Sequence, residues 1–198
     1  MMNNGYVKMA AFVILCFDTY VRPGILSLIR RENVLPPVPG VNVSYRHWSL
    51  VLSPKAEGVP TKVGEFDDSL IVGSTGREWV SKITELLWRK SLPNAFIFQF
   101  SLREVEKVFK LATTALSLTS LHVTPHSLRH GGPSHDVYFN IRNLDQVQRR
   151  GFWKALSSVR RYEKHACLQR QLNKLTQQQQ VAANAASRTV PARLLLLL

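Results

Sequence analysis

The sequence predicts an α+β fold that is mainly helical and carries a small antiparallel sheet. Most apolar residues recur at helical spacing, as they do across residues 76–90. Two short runs of β-branched or aromatic residues, 46–52 and 69–72, are separated by polar turn residues and predict paired strands. The chain has 198 residues, which suits one domain with a substantial core and is too short for two large ones.

The N-terminal part is predicted to contain two helices that meet at a corner. Residues 6–19 are largely apolar, which is typical of a mostly buried helix. Pro23 is expected in the first turn of the second helix, because proline is tolerated there and breaks a helix interior. Residues 20–22 then form the corner, and the proline-rich residues 36–40 form a loop before the first predicted strand.

Three further helices follow the predicted strands. Residues 76–90 form the first of them, with apolar side chains on one face. Residues 101–104 read Ser-Leu-Arg-Glu, a capping box that opens the second. Residues 124–125, Thr-Pro, supply the N-cap and first-turn residue of the third. This start places His126 and Arg129 in the first turns of that helix, close to one face.

The C-terminal part is predicted to contain two more helices. A short helix over residues 143–149 is followed by Gly151 as its expected stop. Ser157 or Ser158 can cap a further helix, which would carry Tyr162.

Residues 176–198 differ in composition from the rest of the chain. Four consecutive glutamines, an alanine-rich stretch and five terminal leucines make this segment low in complexity. We expect it to be disordered, or to dock on a partner as a short helix. The sequence therefore predicts one domain over residues 1–175 and a tail over 176–198.

Charge is the outlying property of the composition. Lys and Arg number 26 against 13 Asp and Glu, which gives a net charge of +13. Between His126 and Lys174 there are ten Lys or Arg and three Asp or Glu, a local excess of +7. Such an excess indicates a polyanionic partner. Charge alone would equally fit ribosomal, RNA-binding or anionic-lipid-binding proteins, so it identifies the partner class and not the chemistry.

The remaining composition favours an intracellular protein. Cys16 and Cys167 lie far apart and outside any metal-ligand spacing, so both are expected to be reduced thiols. The apolar stretch at residues 10–17 is much shorter than a membrane-spanning helix requires. We expect no membrane span and no cleaved signal peptide.

Most of the side chains that point to a chemical function lie between Thr124 and His165. Residues 126–130 read His-Ser-Leu-Arg-His, Gly151 and Trp153 form Gly-x-Trp, and Tyr162 follows Trp153 by nine residues. Arginine, histidine, an indole N–H and a phenol are groups that can hold and attack a phosphodiester without a metal. In order and spacing, this pattern resembles the catalytic domain of tyrosine recombinases, the phage-integrase-like DNA strand exchangers.

The resemblance implies two arginine clamps for the phosphate. Arg129 would be one of them. Arg22 would be the other, since Arg22 to Ile29 matches the family's Arg-x-x-Glu-Leu-x-x-Leu box at the arginine and the apolar positions. Ile25 stands where that box has glutamate, a supporting residue. His130 is expected to support the fold or the site.

The resemblance also assigns roles to four other side chains. Tyr162 would be the nucleophile that forms a 3′-phosphotyrosyl link, and His126 would exchange protons with the phosphate or the nucleophile. Trp153 would donate its indole N–H to a phosphate oxygen. Lys62, in Thr-Lys-Val-Gly, would be the general acid that protonates the leaving 5′ oxygen, with Lys55 as its competitor.

The family further implies the recombinase fold, double-stranded DNA as partner, and a tetramer on synapsed DNA. It implies no cofactor or metal, no membrane or small-molecule substrate, and a nuclear location for a eukaryotic retroelement-type member. The N-terminal clamp domain of the family is missing from the expected match. Two alternatives therefore stay open: an inactive DNA-binding remnant, and a type IB topoisomerase-like nicking-closing enzyme.

Overall fold

Helices make up most of the chain, as the sequence predicts. A computed structural model describes residues 1–2, 5–42, 45–58, 60, 64–74 and 76–198. The α-helices within these ranges are α1 (Val7–Thr19), α2 (Pro23–Leu26), α3 (Glu78–Arg89), α4 (Leu102–Ala115), α5 (Leu128–Tyr138), α6 (Leu144–Arg150), α7 (His165–Leu172) and α8 (Gln177–Leu197).

The sheet is antiparallel and has three strands among the described residues, in the order β1 (Val34–Leu35), β2 (Ser49–Leu52) and β3 (Asp68–Ile71). The pairing of β2 with β3, which places Leu50 opposite Leu70, confirms the two predicted strands. Strand β1 was not predicted, because two residues followed by two prolines carry no alternating pattern.

Helix α1 lies in the core, as predicted for residues 6–19. Phe12 and Cys16 are fully buried, and the helix packs against α3, α5 and α8. Cys16 and the exposed Cys167 are both free thiols. The helix ends at Tyr20, whose φ of 61° turns the chain into the corner before α2. Pro23 begins α2, so the predicted corner and second helix are confirmed.

Helices α1 and α5 approach closely at Gly132. A Cβ atom there would lie 2.1 Å from the Phe17 carbonyl oxygen and 2.8 Å from the Tyr20 ring. Only glycine allows this approach. The contact sets α5 against the end of α1 and so fixes where the side chains of its first turns point.

Three of the predicted helix starts and stops after residue 100 are confirmed, with one change of geometry. Ser101 caps α4 through the predicted box, and Asn143 caps α6, which Gly151 terminates. Thr124 and Pro125 open a short 3₁₀ helix, Pro125–Ser127, that leads into α5. His126 therefore lies in the 3₁₀ turn and Arg129 in α5.

The element that carries Tyr162 differs from the prediction. We expected a helix capped by Ser157 or Ser158, but the structure has two 3₁₀ turns, Leu156–Ser158 and Arg160–Glu163. Neither turn has a side-chain cap. The second turn ends before α7 begins, so Tyr162 lies on a short connecting element that a small cluster of buried residues holds in place.

The tail also differs from the disorder expected of its composition. Residues 177–197 form α8, which packs against α1 and α3. Leu194 is fully buried and Leu198 nearly so, because the leucine-rich end covers the main core. Residues 177–189 are rich in glutamine and alanine and mostly exposed, which explains why composition predicts disorder. Among the described residues, no helix is long and apolar enough to cross a membrane.

Candidate functional site

Five of the six predicted site residues lie in one connected group around the start of α5. We call this group, together with His130, the Tyr162 cluster: Arg22, His126, Arg129, His130, Trp153 and Tyr162. The sixth predicted residue, Lys62, lies outside the described residues. Its competitor Lys55 is exposed on a 3₁₀ turn after β2.

Arg129 lies at the centre of the Tyr162 cluster. Its guanidinium is buried and donates to two backbone carbonyls, through Nη1 to Tyr20 and through Nη2 to Gly151 at 2.7 Å. These bonds tie α5 to the corner after α1 and to the end of α6. Arg129 forms no ion pair with any described residue, so its positive charge is not neutralised by a carboxylate there.

The position of the Trp153 ring explains why the Gly-x-Trp motif begins with glycine. A Cβ atom on Gly151 would lie 1.7 Å from the ring of Trp153, so the indole folds back over the glycine. This position puts the ring 4.4 Å from the Arg129 guanidinium carbon, as a cation–π contact. The indole also approaches Tyr162, with ring centroids 5.6 Å apart. Trp153 therefore joins the proposed clamp to the proposed nucleophile.

The Tyr162 phenol is buried and hydrogen-bonded to a histidine. Its oxygen lies 2.8 Å from His130 Nδ1, and the residue as a whole is only 4 % exposed. The ring of His126 contacts that of His130 with centroids 5.3 Å apart. His126 itself is exposed. The histidine that bonds to the phenol is thus His130, for which the sequence predicts only a supporting role.

Arg22 faces the same cleft as Arg129. The two arginines line a small cleft with Ile25 and Asp68, and Arg22 lines an adjoining groove with His126. Arg22 is half-buried at the corner. One oxygen of Asp68 is buried without a hydrogen-bond partner among the described residues, and burial, with the charge of Glu65, raises the pKa of that carboxyl.

The pKa shifts in the Tyr162 cluster follow from burial and from the charges of neighbouring residues. Burial lowers the pKa of Arg129 to about 10, and the charge of Arg22 acts in the same direction. Burial raises the pKa of Tyr162 to about 12, although Arg129 and Arg161 oppose the rise. Burial also lowers the pKa of His130, helped by His126, Arg161 and Arg129. At neutral pH the phenol and the His130 imidazole are therefore both uncharged.

A second group of charged residues was not predicted from the sequence. Two carboxylates and three arginines form a chain of contacts behind the Tyr162 cluster. We call it the buried charge network: Arg142, Asp136, Arg77, Asp18 and Arg150, in order of contact.

The carboxylates of the buried charge network are fully buried and accept from several donors. Asp136 accepts from Arg77, Arg142 and the Tyr20 hydroxyl. Burial opposes ionisation of Asp136, but hydrogen bonds from His135 and Tyr20 and the charge of Arg77 outweigh it and hold the pKa of that carboxyl well below its usual range. No local spacing relates these residues in the sequence, which is why pattern reasoning missed them.

The Tyr162 cluster has the chemistry of an anion site next to a nucleophile. Arg22 and Arg129 line one cleft, which Asp68 also lines, and neither arginine forms an ion pair with a described residue. Two such cations favour a phosphate group. A phenol and two imidazoles lie within a chain of direct contacts from that cleft. Charge that develops on a phosphate oxygen or on the phenol would be stabilised there.

Comparison with known proteins adds no relative: no protein-family model matches the chain, and neither does any curated protein.

Proposed function

We propose that this chain is the catalytic domain of a DNA strand transferase of the tyrosine recombinase type. The observation that carries the proposal is the contact chain from Arg129 through Trp153 to Tyr162, beside a cleft that Arg22 also lines. These are the residues that the sequence resemblance assigns to phosphate binding and nucleophilic attack. Arg22 lies far from Arg129 in the sequence, so the meeting of these two side chains at one cleft does not follow from the local spacing of the motif.

The proposed reaction uses Tyr162 as nucleophile. Its oxygen attacks a DNA phosphorus and forms a 3′-phosphotyrosyl link, and a 5′-hydroxyl leaves. Arg22 and Arg129 stabilise the negative charge on the non-bridging oxygens. Because the ester bond is kept, another 5′-hydroxyl can reverse the step and join a different strand. Lys62 remains the proposed acid for the leaving oxygen.

The exposed charge around Tyr162 fits a DNA surface. Arg160, Arg161 and Lys164 are exposed on and beside the turn that carries the phenol. Lysine and arginine side chains in such positions bind phosphates without reading bases. The proposed partner is therefore double-stranded DNA, and binding should weaken steeply with salt.

One observation favours a second candidate, a DNA-binding module without turnover. Both terminal nitrogens of Arg129 donate hydrogen bonds to backbone carbonyls, and Tyr162 is almost fully buried. Attack would require the 3₁₀ turn that carries Tyr162 to move toward the cleft. A module that binds DNA and never makes this movement would show the same resting geometry.

A nicked suicide duplex tests the two candidates. The probe is a pool of 5′-labelled duplexes with randomised sequence and a nick a few nucleotides 3′ of the phosphate to be attacked. The short fragment dissociates after cleavage, so the covalent intermediate accumulates. We expect a labelled adduct that survives denaturing electrophoresis and is absent with Tyr162→Phe, while Tyr138→Phe, in which another tyrosine is changed, still forms it. Salt-sensitive binding without an adduct would instead support the module.

A further inference from the structure

The hydrogen bond between His130 and Tyr162 points to a role for His130 that the sequence does not predict. His130 Nδ1 and the phenol oxygen are 2.8 Å apart, and the two rings lie side by side with centroids 6.1 Å apart. His130 is half-buried on α5, and its position there is fixed by the same helix that carries Arg129. In this resting geometry the proton on the phenol can therefore reach that nitrogen directly, before the turn that carries Tyr162 moves toward the cleft.

The protonation states of Tyr162 and His130 determine which of the two donates the hydrogen bond. Tyr162 keeps its proton at neutral pH because burial raises its pKa to about 12. His130 is uncharged there because burial and three cationic or titratable neighbours, His126, Arg161 and Arg129, lower its pKa. A neutral phenol is the better donor, and a neutral imidazole with its proton on Nε2 offers Nδ1 as acceptor. The phenol O–H therefore donates to His130 Nδ1.

We infer that His130, and not His126, takes the proton from Tyr162 when the phenol attacks DNA. This inference rests on the proposed function. The phenol O–H bond breaks and an Nδ1–H bond forms on His130, while the phenol oxygen bonds to phosphorus. The bond from phosphorus to the 5′ oxygen breaks, and that oxygen takes a proton from the general acid. His126 contacts the His130 ring and lines the adjoining groove with Arg22, so its place suits the phosphate.

The surroundings of His130 also favour the return step. The imidazolium formed during attack lies near His126, Arg129 and Arg161, which all disfavour a further positive charge. It will therefore give its proton back readily when a 5′-hydroxyl, whose own proton goes to the general acid's deprotonated form, attacks the phosphotyrosine and the phenolate leaves. One group thus serves both directions, as reversible strand transfer requires.

Two substitutions at His130 separate proton transfer from positioning. His130→Asn places an amide oxygen near the position of Nδ1, where it accepts the phenol hydrogen bond but cannot take the proton. His130→Phe keeps the ring and removes both functions. His122→Asn is the matched control, because His122 is exposed outside the Tyr162 cluster and its φ of 49° suits asparagine.

The assay measures the rate of adduct formation against pH. The probe is a pool of duplexes with one strand ending in a 3′-p-nitrophenyl phosphate, whose leaving group needs no acid. This choice removes any contribution of Lys62 and isolates activation of the nucleophile. The pKa of His130 is obtained separately, from an NMR titration of its ring protons in the free protein.

For the wild type, the rate should fall as pH drops through the measured pKa of His130. His130→Asn should be slower by about 100-fold or more, a typical contribution of a positioned general base, and should lose that acid limb. His122→Asn should keep both. An Asn variant with wild-type rate and profile would overturn the inference, as would an inactive Phe variant beside a fully active Asn variant, which would mean positioning only. Absence of adduct from the wild type would overturn the proposed function itself, and the inference with it.

Discussion

The Tyr162 cluster and the buried charge network lie on two sides of one residue, Tyr20, and treat positive charge in opposite ways. In the buried charge network, each arginine contacts a carboxylate among the described residues. In the Tyr162 cluster, Arg129 forms no such pair and contacts carbonyls and an aromatic ring instead. Paired charge braces a fold, whereas unpaired charge leaves an attraction for an external anion.

Tyr20 connects the two groups physically. Its carbonyl accepts from Arg129, and its hydroxyl donates to Asp136. Its backbone is in the left-handed region, which a non-glycine residue adopts only when surrounding contacts hold it there. The buried charge network therefore fixes the carbonyl that positions Arg129. A substitution in either group should consequently disturb the other group as well.

The largest effect is expected from Asp136→Asn. This change leaves Arg77 and Arg142 buried with one carboxylate fewer, and breaking such a pair costs about 3–5 kcal/mol of unfolding free energy. Urea denaturation at pH 7 measures the loss. Asp145→Asn, at an exposed first-turn position of α6, should cost less than about 1 kcal/mol.

The same carboxyl predicts a pH dependence. The pKa of Asp136 is lower in the folded chain than in the unfolded chain, so its stabilisation is present above about pH 4 and is lost as pH falls below that value. The Asn variant should lack this acid-sensitive part. If Asp136→Asn and Asp145→Asn were equally stable, the network would not brace the fold.

Arg129→Lys should have the next largest effect. One ammonium group cannot reach both the Tyr20 and the Gly151 carbonyls, so a buried acceptor is left unsatisfied at a cost of about 1–3 kcal/mol. Thermal and urea unfolding measure this cost. The control Arg149→Lys changes an exposed arginine on α6 and should shift stability by no more than about 0.5 kcal/mol. Equal results for both would mean that the guanidinium fork does not hold the corner.

The sequence predicted most of the fold because its signals are local. These local signals are the capping box at Ser101, the stop at Gly151, the proline at position 23 and the periodicity of residues 76–90, and each acts within a few residues of the helix that it defines. The 3₁₀ turn at Tyr162 and the docking of α8 were missed. Both depend on packing against distant elements, through Val159 in one case and through the last leucines in the other.

The candidate site was predictable only where a motif exists. The spacing from Trp153 to Tyr162 and the His-x-x-Arg pair identified residues that the structure brings together. The contact of His130 with the phenol depends on how α5 faces a turn 32 residues away, which no local pattern encodes. The buried charge network was not predicted from the sequence for the same reason, since Asp18 and Asp136 contact Arg77 only once α1, α3 and α5 have packed together.

Tyr162→Phe should produce a smaller change in stability. It removes the phenol bond to His130 and keeps the ring on Trp153, so the expected loss is about 1 kcal/mol. Because the folded-state pKa of Tyr162 lies above its ordinary value of 10.0, the wild type should lose this stabilisation as pH rises from 10 toward about 12. A spectrophotometric phenol titration should lack one late-titrating tyrosine in the variant. If none is lost, Tyr162 is not buried in solution.

The smallest change in stability is expected from Arg22→Ala. This variant distinguishes a role in anion binding from a role in stabilising the fold. Arg22 has no carboxylate partner in an ion pair among the described residues, and its charge disfavours that of Arg129, so removing it should shift unfolding by no more than about 0.5 kcal/mol. DNA binding should nevertheless weaken, with a salt slope lower by about 1. Fluorescence anisotropy with a duplex across a salt series measures both, and Arg188→Ala, on the exposed face of α8, is the control. A variant that binds DNA like the control would place the DNA phosphate away from this cleft, and the unpaired charge at Arg129 would then need another explanation.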